Sequence, residues 1–232
     1  MPASVCVITG ASRGIGLATA LRFARAGYHL VIAARRAQPL RQAAERIAAV
    51  GAAYTEVVAD VGTREGAERL IESARSRCGR IDVLVNNAGA APLAAIVDTT
   101  DEQFAAAVAA NCAAIFYTTR AVWPLMRDQG SGTIINVSSM ASVDPFRGFA
   151  VYGACKAWVN LFTRATADEG RALGIRAFAV APGAVETDML RSCFPELPKE
   201  QTLDPDDVAA TIEALCDERF GYCSGQTVFL GK

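Results

Sequence analysis

The feature that most constrains the fold is a regular alternation of short apolar runs with longer amphipathic stretches along the whole chain. The runs lie at residues 5–9, 30–34, 54–59, 83–86, 133–137, 177–181 and 227–230. Continuous apolar runs of this length are typical of strands buried on both faces of a parallel sheet. Helix-like stretches lie between them, near 15–26, 38–50, 64–77, 102–128, 152–172 and 205–218. The alternation predicts an α/β fold with a doubly wound, seven-stranded parallel sheet and helices on both faces.

No Pro/Ser-rich linker or shift in composition divides the chain, so residues 1–232 are predicted to form a single domain. The least regular segment, 190–204, contains two prolines and mixed polarity, which predicts a mobile loop. Residues 189–204 are therefore the candidate loop over a substrate.

Charge and residue usage exclude several classes of function. The net charge is −1 and no basic cluster could track a phosphate backbone, so nucleic acid is not expected as a partner. No apolar stretch reaches ~18 residues and no signal peptide precedes the first strand, so no membrane association is expected. The seven cysteines lack CxxC spacing and His29 is the only histidine, which argues against a metal site and a Ser-His-Asp triad. These features predict a cytoplasmic protein with reduced thiols.

The first predicted strand runs straight into a glycine-rich turn and a helix. The turn reads Thr9-Gly10-Ala11-Ser12-Arg13-Gly14-Ile15-Gly16. Its glycines allow the backbone to approach a pyrophosphate, which the N–H groups and dipole of the helix N-terminus can bind. The turn opens a βαβ unit and predicts a dinucleotide site in a Rossmann fold. Its predicted cofactor-binding residues are Gly10, Ser12, Arg13, Gly14, Ile15 and Gly16.

The residues after the second strand favour a phosphorylated ribose. Dinucleotide folds that prefer NAD place an acid there, but no acid occurs from residue 31 to 44. Arg35 stands there instead and, together with Arg13, suits a 2′-phosphate, because guanidinium donors match phosphate oxygens; Arg36 is an additional candidate beside them. The sequence therefore predicts NADP(H) as the cofactor.

Two further strands end in polar residues at the ligand-binding edge of the predicted sheet. Asp60 and Val61 close the third strand, where an adenine would be met. The fourth strand ends at Asn86, which suits a ligand contact or a structural tie between strands equally well. The residues that follow it are also predicted to bind the cofactor: Asn87, Ala88 and Gly89.

Tyr152 and Lys156 are the strongest candidates for catalysis. They stand four residues apart in a predicted helix, which places them on one face, about 5–6 Å apart at Cβ. Lysine is otherwise rare, with only Lys199 and Lys232 besides Lys156 among 23 basic residues. An ammonium beside the phenol is expected to lower the pKa of Tyr152 from about 10, which would give a general acid and base near neutral pH.

Two more polar residues accompany this pair. Ser139 emerges with Ser138 at the end of the fifth strand, at the same edge of the sheet. Asn111 lies among small apolar residues in the helix predicted over 102–128. A buried Asn needs partners, so Asn111 either belongs to the site or satisfies a local kink in the helix.

Together these motifs resemble the short-chain dehydrogenase/reductase family, in its compact, NADP-preferring branch. The resemblance covers residues 4–230 in order, and its motifs are TGxxxGxG at 9–16, Asp-Val at 60–61, NNAG at 86–89, Asn111, Ser139, YxxxK at 152–156, and Pro182-Gly183 with Thr187. It implies an NADP(H)-dependent oxidoreductase that interconverts a small-molecule carbonyl compound and its alcohol.

The resemblance also implies a role for each residue. Tyr152 would exchange a proton with the substrate oxygen, and Ser139 would bind that oxygen. Lys156 would lower the pKa of Tyr152 and hold the nicotinamide ribose, while Asn111 would anchor a water that links Lys156 to solvent. Cofactor contacts at the nicotinamide end would come from Pro182, Gly183, Val185 and Thr187.

The sequence is also compatible with two other functions. One is the reduction of 3-oxoacyl thioesters of a carrier protein or CoA, although residues 126–130 and 172–174 offer no basic pair for an acidic carrier protein. The other is a non-catalytic, NADP-binding regulator, against which the complete set of candidate catalytic residues argues. The expected pocket walls are mostly apolar, so they do not identify the substrate or the physiological direction. They are residues 90–93 and 140–146, Phe149, Met189, Leu190 and Phe194.

The helices at 102–128 and 152–172 are predicted to form the contact of a homodimer or homotetramer. Both carry more apolar and small residues than one sheet face can cover, and two such pairs would form a four-helix contact. The residues concerned are Val108, Ala113, Phe116, Val122, Trp158 and Phe162.

Overall fold

A seven-stranded parallel sheet forms the centre of the molecule in the computed structural model, which describes residues 3–232. The strands are β1 (Val5–Thr9), β2 (His29–Ala34), β3 (Tyr54–Val58), β4 (Val83–Asn86), β5 (Gly132–Val137), β6 (Ile175–Pro182) and β7 (Thr227–Leu230). They are ordered β3-β2-β1-β4-β5-β6-β7, and each neighbouring pair is parallel. The prediction of a doubly wound Rossmann fold is confirmed.

Helices cover both faces of this sheet. They are α1 (Gly14–Arg25), α2 (Ala37–Ala48), α3 (Arg64–Cys78), α4 (Asp101–Val108), α5 (Ala114–Gln129), α6 (Ala150–Gly170), α7 (Asp188–Cys193) and α8 (Pro205–Leu215). Successive strand residues point to opposite faces, so the core has two halves. Ile8 and Ile32 belong to the half that contains residues of α1, α2 and α8. Val7 and Val31 belong to the half that contains residues of α3, α5 and α6.

The long helix predicted over 102–128 is interrupted in its middle. A π-helical turn, Ala109–Ala113, joins α4 to α5 and contains Asn111. Such a turn inserts one extra residue into a helix and is frequent at functional sites. The apolar periodicity on both sides remains helical, so the sequence pattern gave no sign of the insertion.

The segment 189–204 is more regular than predicted. Its first part belongs to α7, where the hydroxyl of Thr187 accepts a hydrogen bond from the Leu190 N–H at 3.2 Å. The guanidinium of Arg191 binds the Glu186 carboxylate and donates to the carbonyl of Leu197 at 2.6 Å. These polar bonds hold a segment with little apolar periodicity, so the expectation of an irregular loop is wrong for residues 189–193.

By length and composition alone, Asp101–Gln129 could cross a membrane, since its 29 residues include an 18-residue window with a mean hydropathy of 1.2. Core helices of soluble proteins meet the same criterion. Here α5 packs against α3 and lies on β4 and β5, as a core helix does.

One residue of the predicted intersubunit surface lies elsewhere. Val122 is fully buried in the half of the core beneath α5, so its inclusion in that surface is wrong. Leu161 and Phe104 are exposed on α6 and α4 instead, beside the predicted Phe116 and Trp158. The rings of Trp158 and Phe162 stack within this surface, with their centroids 4.6 Å apart and their planes nearly parallel.

Candidate active site

A cavity of about 870 Å³ opens at the carboxyl edge of the sheet. Every residue predicted to bind the cofactor or to act in catalysis lines this cavity, except Gly16. Residues that are distant in sequence meet here because parallel strands bring their carboxyl ends to one edge.

The glycine-rich turn between β1 and α1 is packed against the end of β4. Gly10 adopts φ +66°, and the amide of Asn87 donates to the carbonyls of Thr9 and Gly10 at 3.0 and 3.1 Å. A Cβ on Gly16 would lie 2.4 Å from both Asn87 Nδ2 and the Gly10 oxygen. Gly16 therefore acts through this close packing and does not line the cavity.

The N-terminus of α1 faces the cavity and no side chain caps it. Free N–H groups at such an end are suited to an anion. The guanidinium of Arg13 pairs with the carboxylate of Asp188 at 3.0 Å, which ties the glycine-rich turn to α7. Arg35 and Arg36 are exposed at the rim, and neither forms an ion pair with any residue from 3 to 232.

Asp60 and Val61 form the cavity wall just beyond β3. The Asp60 carboxylate accepts a hydrogen bond from the Gly62 N–H at 3.0 Å, which fixes its orientation. Val61 is buried beside it.

Asn86 is a structural tie between strands, which decides the alternative that the sequence left open. Its Nδ2 donates to Asn136 Oδ1 at 2.9 Å, and its Oδ1 accepts from the Thr118 hydroxyl at 2.7 Å. Asn136 continues the chain by donating to the Thr163 hydroxyl at 2.8 Å. This buried polar chain joins β4 and β5 to α5 and α6, the helices that flank the site.

The ammonium of Lys156 lies beneath the ring of Tyr152, 5.6 Å from its centroid. It donates to the carbonyl of Val137 at 2.8 Å, which anchors α6 to the end of β5. Burial lowers the pKa of Lys156 to about 8, so the ammonium is the main form at neutral pH.

The pKa of Tyr152 is raised above its usual value, so the expectation of a lowered pKa is wrong for this arrangement. Burial raises the pKa because an ionised phenolate would lose hydration, and the neighbouring Ser139 hydroxyl offsets part of the effect. The Lys156 ammonium donates its hydrogen bond to the Val137 carbonyl, and the effect of burial on the Tyr152 pKa outweighs the others. The phenol is therefore neutral near neutral pH, which is the form that donates a proton.

Ser139 and Asn111 complete this end of the cavity. The hydroxyl of Ser139 accepts a hydrogen bond from the Ala141 N–H at 3.2 Å and caps a short turn. Asn111 donates to the carbonyls of Ala90 and Ala107 at 2.7 and 2.9 Å.

The other side-chain atom of Asn111, Oδ1, is buried without a hydrogen-bond partner in the part of the chain that is described. A Cβ on Gly89 would lie 2.8 Å from this oxygen and 3.6 Å from Lys156 Nζ, so both atoms border the space beside Gly89. A buried acceptor without a partner costs about 1–3 kcal/mol, which favours a ligand or a water at this point.

The end of β6 and the start of α7 form another wall of the cavity. Pro182 ends β6 and Gly183 donates its N–H to the Leu230 carbonyl at 2.8 Å. Val185 is buried and pairs with Leu203, and the Thr187 hydroxyl donates to the Val185 carbonyl at 3.2 Å.

Aromatic side chains line the cavity beyond Tyr152. The Phe149 ring lies 5.3 Å from the Tyr152 ring and 5.6 Å from the Phe194 ring, and Phe146 contacts both phenylalanines. The sequence predicted these phenylalanines, with Met189 and Leu190, among the walls, and it placed Cys193, Leu197 and Gln201 only within the candidate loop over a substrate. Leu93 and Met140 were also predicted as walls but do not line the cavity, whereas Asp188 lines it without having been predicted. Cys193 follows Met189 by one helical turn, a spacing that could have revealed it.

These residues fit a dinucleotide with a nicotinamide. The turn offers the close backbone approach and the free N–H groups that a pyrophosphate needs, and the unpartnered Asn111 Oδ1 borders the same space beside Gly89 as Lys156 Nζ. Within residues 3–232, no group of three or more His, Cys, Asp or Glu side chains is placed to hold a metal ion.

The sequence matches known proteins over most of its length. The sequence profile of the family described as short chain dehydrogenase matches residues 4–198. The chain is 33% identical over 238 residues to Dehydrogenase/reductase SDR family member 4 of Homo sapiens, covering 98% of this chain and 86% of that protein. It is 38% identical over 235 residues to a 3-oxoacyl-[acyl-carrier-protein] reductase of Synechocystis sp., covering 98% and 95%.

Solved structures share this architecture. L-Sorbose reductase from Gluconobacter frateurii, complexed with NADPH and L-sorbose, matches with a TM-score of 0.92 and 31% identity, covering 100% of this chain and 96% of that one. A 3-ketoacyl-(acyl-carrier-protein) reductase from Brucella melitensis, complexed with NADH, matches with a TM-score of 0.91 and 30% identity, covering 99% and 97%.

Proposed function

Because the chain belongs to the short-chain dehydrogenase family, an oxidoreductase family, we propose that it is an NADP(H)-dependent enzyme that interconverts a ketone or aldehyde and its alcohol. The observation that carries this proposal is the convergence of Ser139, Tyr152, Lys156 and Asn111 at one end of the cavity that starts at the glycine-rich turn.

In this mechanism the cofactor supplies or accepts the hydride, and the protein positions the carbonyl and handles the proton. Tyr152 donates its phenolic proton to the carbonyl oxygen during reduction, and its raised pKa keeps that proton in place beforehand. Ser139 orients the same oxygen through its hydroxyl. Lys156 keeps a positive charge beneath the Tyr152 ring, which stabilises the phenolate as it forms.

The cofactor preference rests on Arg35 and Arg36. Their guanidinium groups stand at the rim after β2 without acidic partners in the described chain, where a ribose 2′-phosphate would be bound. The related structures carry NADH in one case and NADPH in the other, so this preference is argued from the arginines of this chain.

A second candidate is the reduction of 3-oxoacyl thioesters. The Synechocystis relative, at 38% identity, is named for this reaction on a carrier protein. Against it, the Arg127 guanidinium pairs with Asp128 at 2.8 Å and Arg171 lies 3.8 Å from Asp168, so these two basic residues each have an acidic neighbour. A non-catalytic, NADP-binding regulator is a candidate from another class of function. Turnover of any carbonyl compound in the assay would exclude it.

We expect a simple apolar ketone to be reduced with a higher kcat/KM than a 3-oxoacyl carrier protein. An acidic carrier protein needs a positive surface to raise its association rate, and the paired arginines provide little. The measurement compares simple ketones, a 3-oxoacyl-CoA and a 3-oxoacyl carrier protein at low and high salt. A salt-sensitive preference for the carrier protein would give the thioester reaction first place.

A homodimer or homotetramer is the proposed assembly, built on α4, α5 and α6. Leu161 is 69% exposed and lies on the same helix as Trp158, in an apolar surface that a second copy would cover. Light scattering is expected to give a multiple of the 24.4 kDa chain mass. Leu161→Glu is expected to lower that mass, whereas Val143→Glu, at a site 62% exposed and outside these helices, should not. A wild-type monomer at micromolar concentration would contradict the proposal.

We also propose a cytoplasmic location. All seven cysteines are free thiols, and Cys223 is exposed, which suits a reducing compartment.

A further inference from the structure

We propose that three phenylalanines, Phe146, Phe149 and Phe194, make this site selective for carbonyl compounds with a flat aromatic ring beside the carbonyl group. This inference rests on the proposed function and specifies its substrate class. The three rings form a continuous wall, with centroids 5.6–6.4 Å apart and planes inclined by 61–89°.

The aromatic wall begins beside the Tyr152 phenol. Phe149 is 7% exposed and stands at the N-terminus of α6, three residues before Tyr152, so its ring contacts the phenol that donates the proton. A substituent attached to the carbonyl carbon therefore comes to lie along Phe149 and Phe194. Phe146, which is 61% exposed, ends the wall at the cavity mouth.

The wall is held in place from two sides. The Gly148 carbonyl accepts a hydrogen bond from the Ala94 N–H at 3.1 Å, which fixes the turn between Phe146 and Phe149. Phe194 follows α7, where its N–H donates to the Leu190 carbonyl at 2.7 Å and the Arg191 guanidinium binds Leu197. A preformed wall loses little conformational freedom when a ring binds against it.

The chemistry of the wall favours an aromatic ring over an alkyl group of equal size. Aromatic pairs prefer edge-to-face and offset arrangements and gain about 0.5–1.5 kcal/mol beyond their buried area, which corresponds to a roughly two- to twelvefold preference. Of the charged side chains that line the cavity, Lys156 is bound to the Val137 carbonyl and Asp188, on α7, pairs with Arg13, so neither offers a free charge to the substituent. The substituent is therefore expected to be uncharged.

The test uses two methyl ketones of matched size, one with a phenyl and one with a cyclohexyl group, and NADPH as the reductant. Conjugation makes the two ketones differ in intrinsic reactivity, so the readout is how a substitution changes the ratio of their kcat/KM values. Phe194→Leu keeps an apolar side chain but removes the ring, and it leaves the Phe149–Tyr152 contact intact. The matched control is Phe220→Leu, at a site 37% exposed and outside the cavity lining.

Phe194→Leu is expected to lower the phenyl-to-cyclohexyl ratio about two- to twelvefold, chiefly through KM, while Phe220→Leu leaves it unchanged. Phe146→Leu, at an exposed position that the fold tolerates, is expected to lower it by a smaller factor. Turnover of both ketones with a ratio unchanged in both cavity variants would overturn the aromatic selectivity and leave the proposed function intact. Absence of turnover with any carbonyl, despite NADPH binding measured by fluorescence, would overturn the proposed function as well.

Discussion

Replacing Tyr152 with Phe is expected to lower the rate of carbonyl reduction about 10²–10⁴-fold, the usual contribution of a general acid. The substitution removes the hydroxyl that donates the proton and keeps the ring that packs against Phe149. Binding of NADPH should stay within a few-fold of wild type, because the phenol acts on the substrate and the ring is scaffold. Steady-state kinetics with a ketone that the wild-type enzyme reduces measures the rate, and a fluorescence titration with NADPH measures binding.

Tyr222→Phe is the matched control for this experiment. Tyr222 is fully exposed, so the loss of its hydroxyl should leave the rate unchanged. A Tyr152→Phe enzyme that keeps more than about a tenth of the wild-type rate would show that another group supplies the proton.

The second large effect is expected at Arg35. Wild type should bind NADPH more tightly than NADH, and Arg35→Asp should remove most of that difference. A charge-assisted hydrogen bond contributes roughly 1.5–3 kcal/mol, or about ten- to a hundredfold in affinity. The new carboxylate would also repel the 2′-phosphate, while it could accept a hydrogen bond from the free 2′-hydroxyl of NADH.

Arg41→Asp makes the same change of charge on α2, the helix that follows Arg35, at an exposed residue outside the cavity. Both variants make the same change in net charge, but only Arg35→Asp removes the proposed contact with the 2′-phosphate. A loss of preference in Arg35→Asp alone therefore reports that contact and not a general effect of charge. Equal affinities of the wild-type enzyme for NADPH and NADH would contradict the assignment of the cofactor.

The sheet and the cofactor turn were predictable because their signals are local. Each strand is a short apolar run, and the turn needs glycine at Gly10 and Gly16 for backbone and packing reasons that a sequence displays directly. The right-handedness of the crossovers then limits how the parallel strands can be arranged. These rules bring Ser139 and Tyr152 to one edge without any information about their contacts.

Other features depend on contacts between distant segments, and the sequence could not specify them. Asn86 was left between two roles until its bonds to Asn136 and Thr118 placed it in a buried polar chain. The pKa of Tyr152 is governed mainly by burial, which helical spacing does not reveal. Likewise, α7 is stabilised by the Arg191–Glu186 pair and by the cap at Thr187, which apolar periodicity does not register.

The π-helical turn at Ala109–Ala113 has a consequence for how this site can change during evolution. A helix with such a turn contains one residue more than a regular helix between the same ends. Adding or removing that residue shifts the rest of the helix by about 100° relative to the turn before it, which would carry the Asn111 amide away from Lys156. A single substitution cannot produce this rotation. The placement of Asn111 beside Lys156 therefore depends on the length of the chain between α4 and α5, and an alignment that counts only residue identities will overlook it.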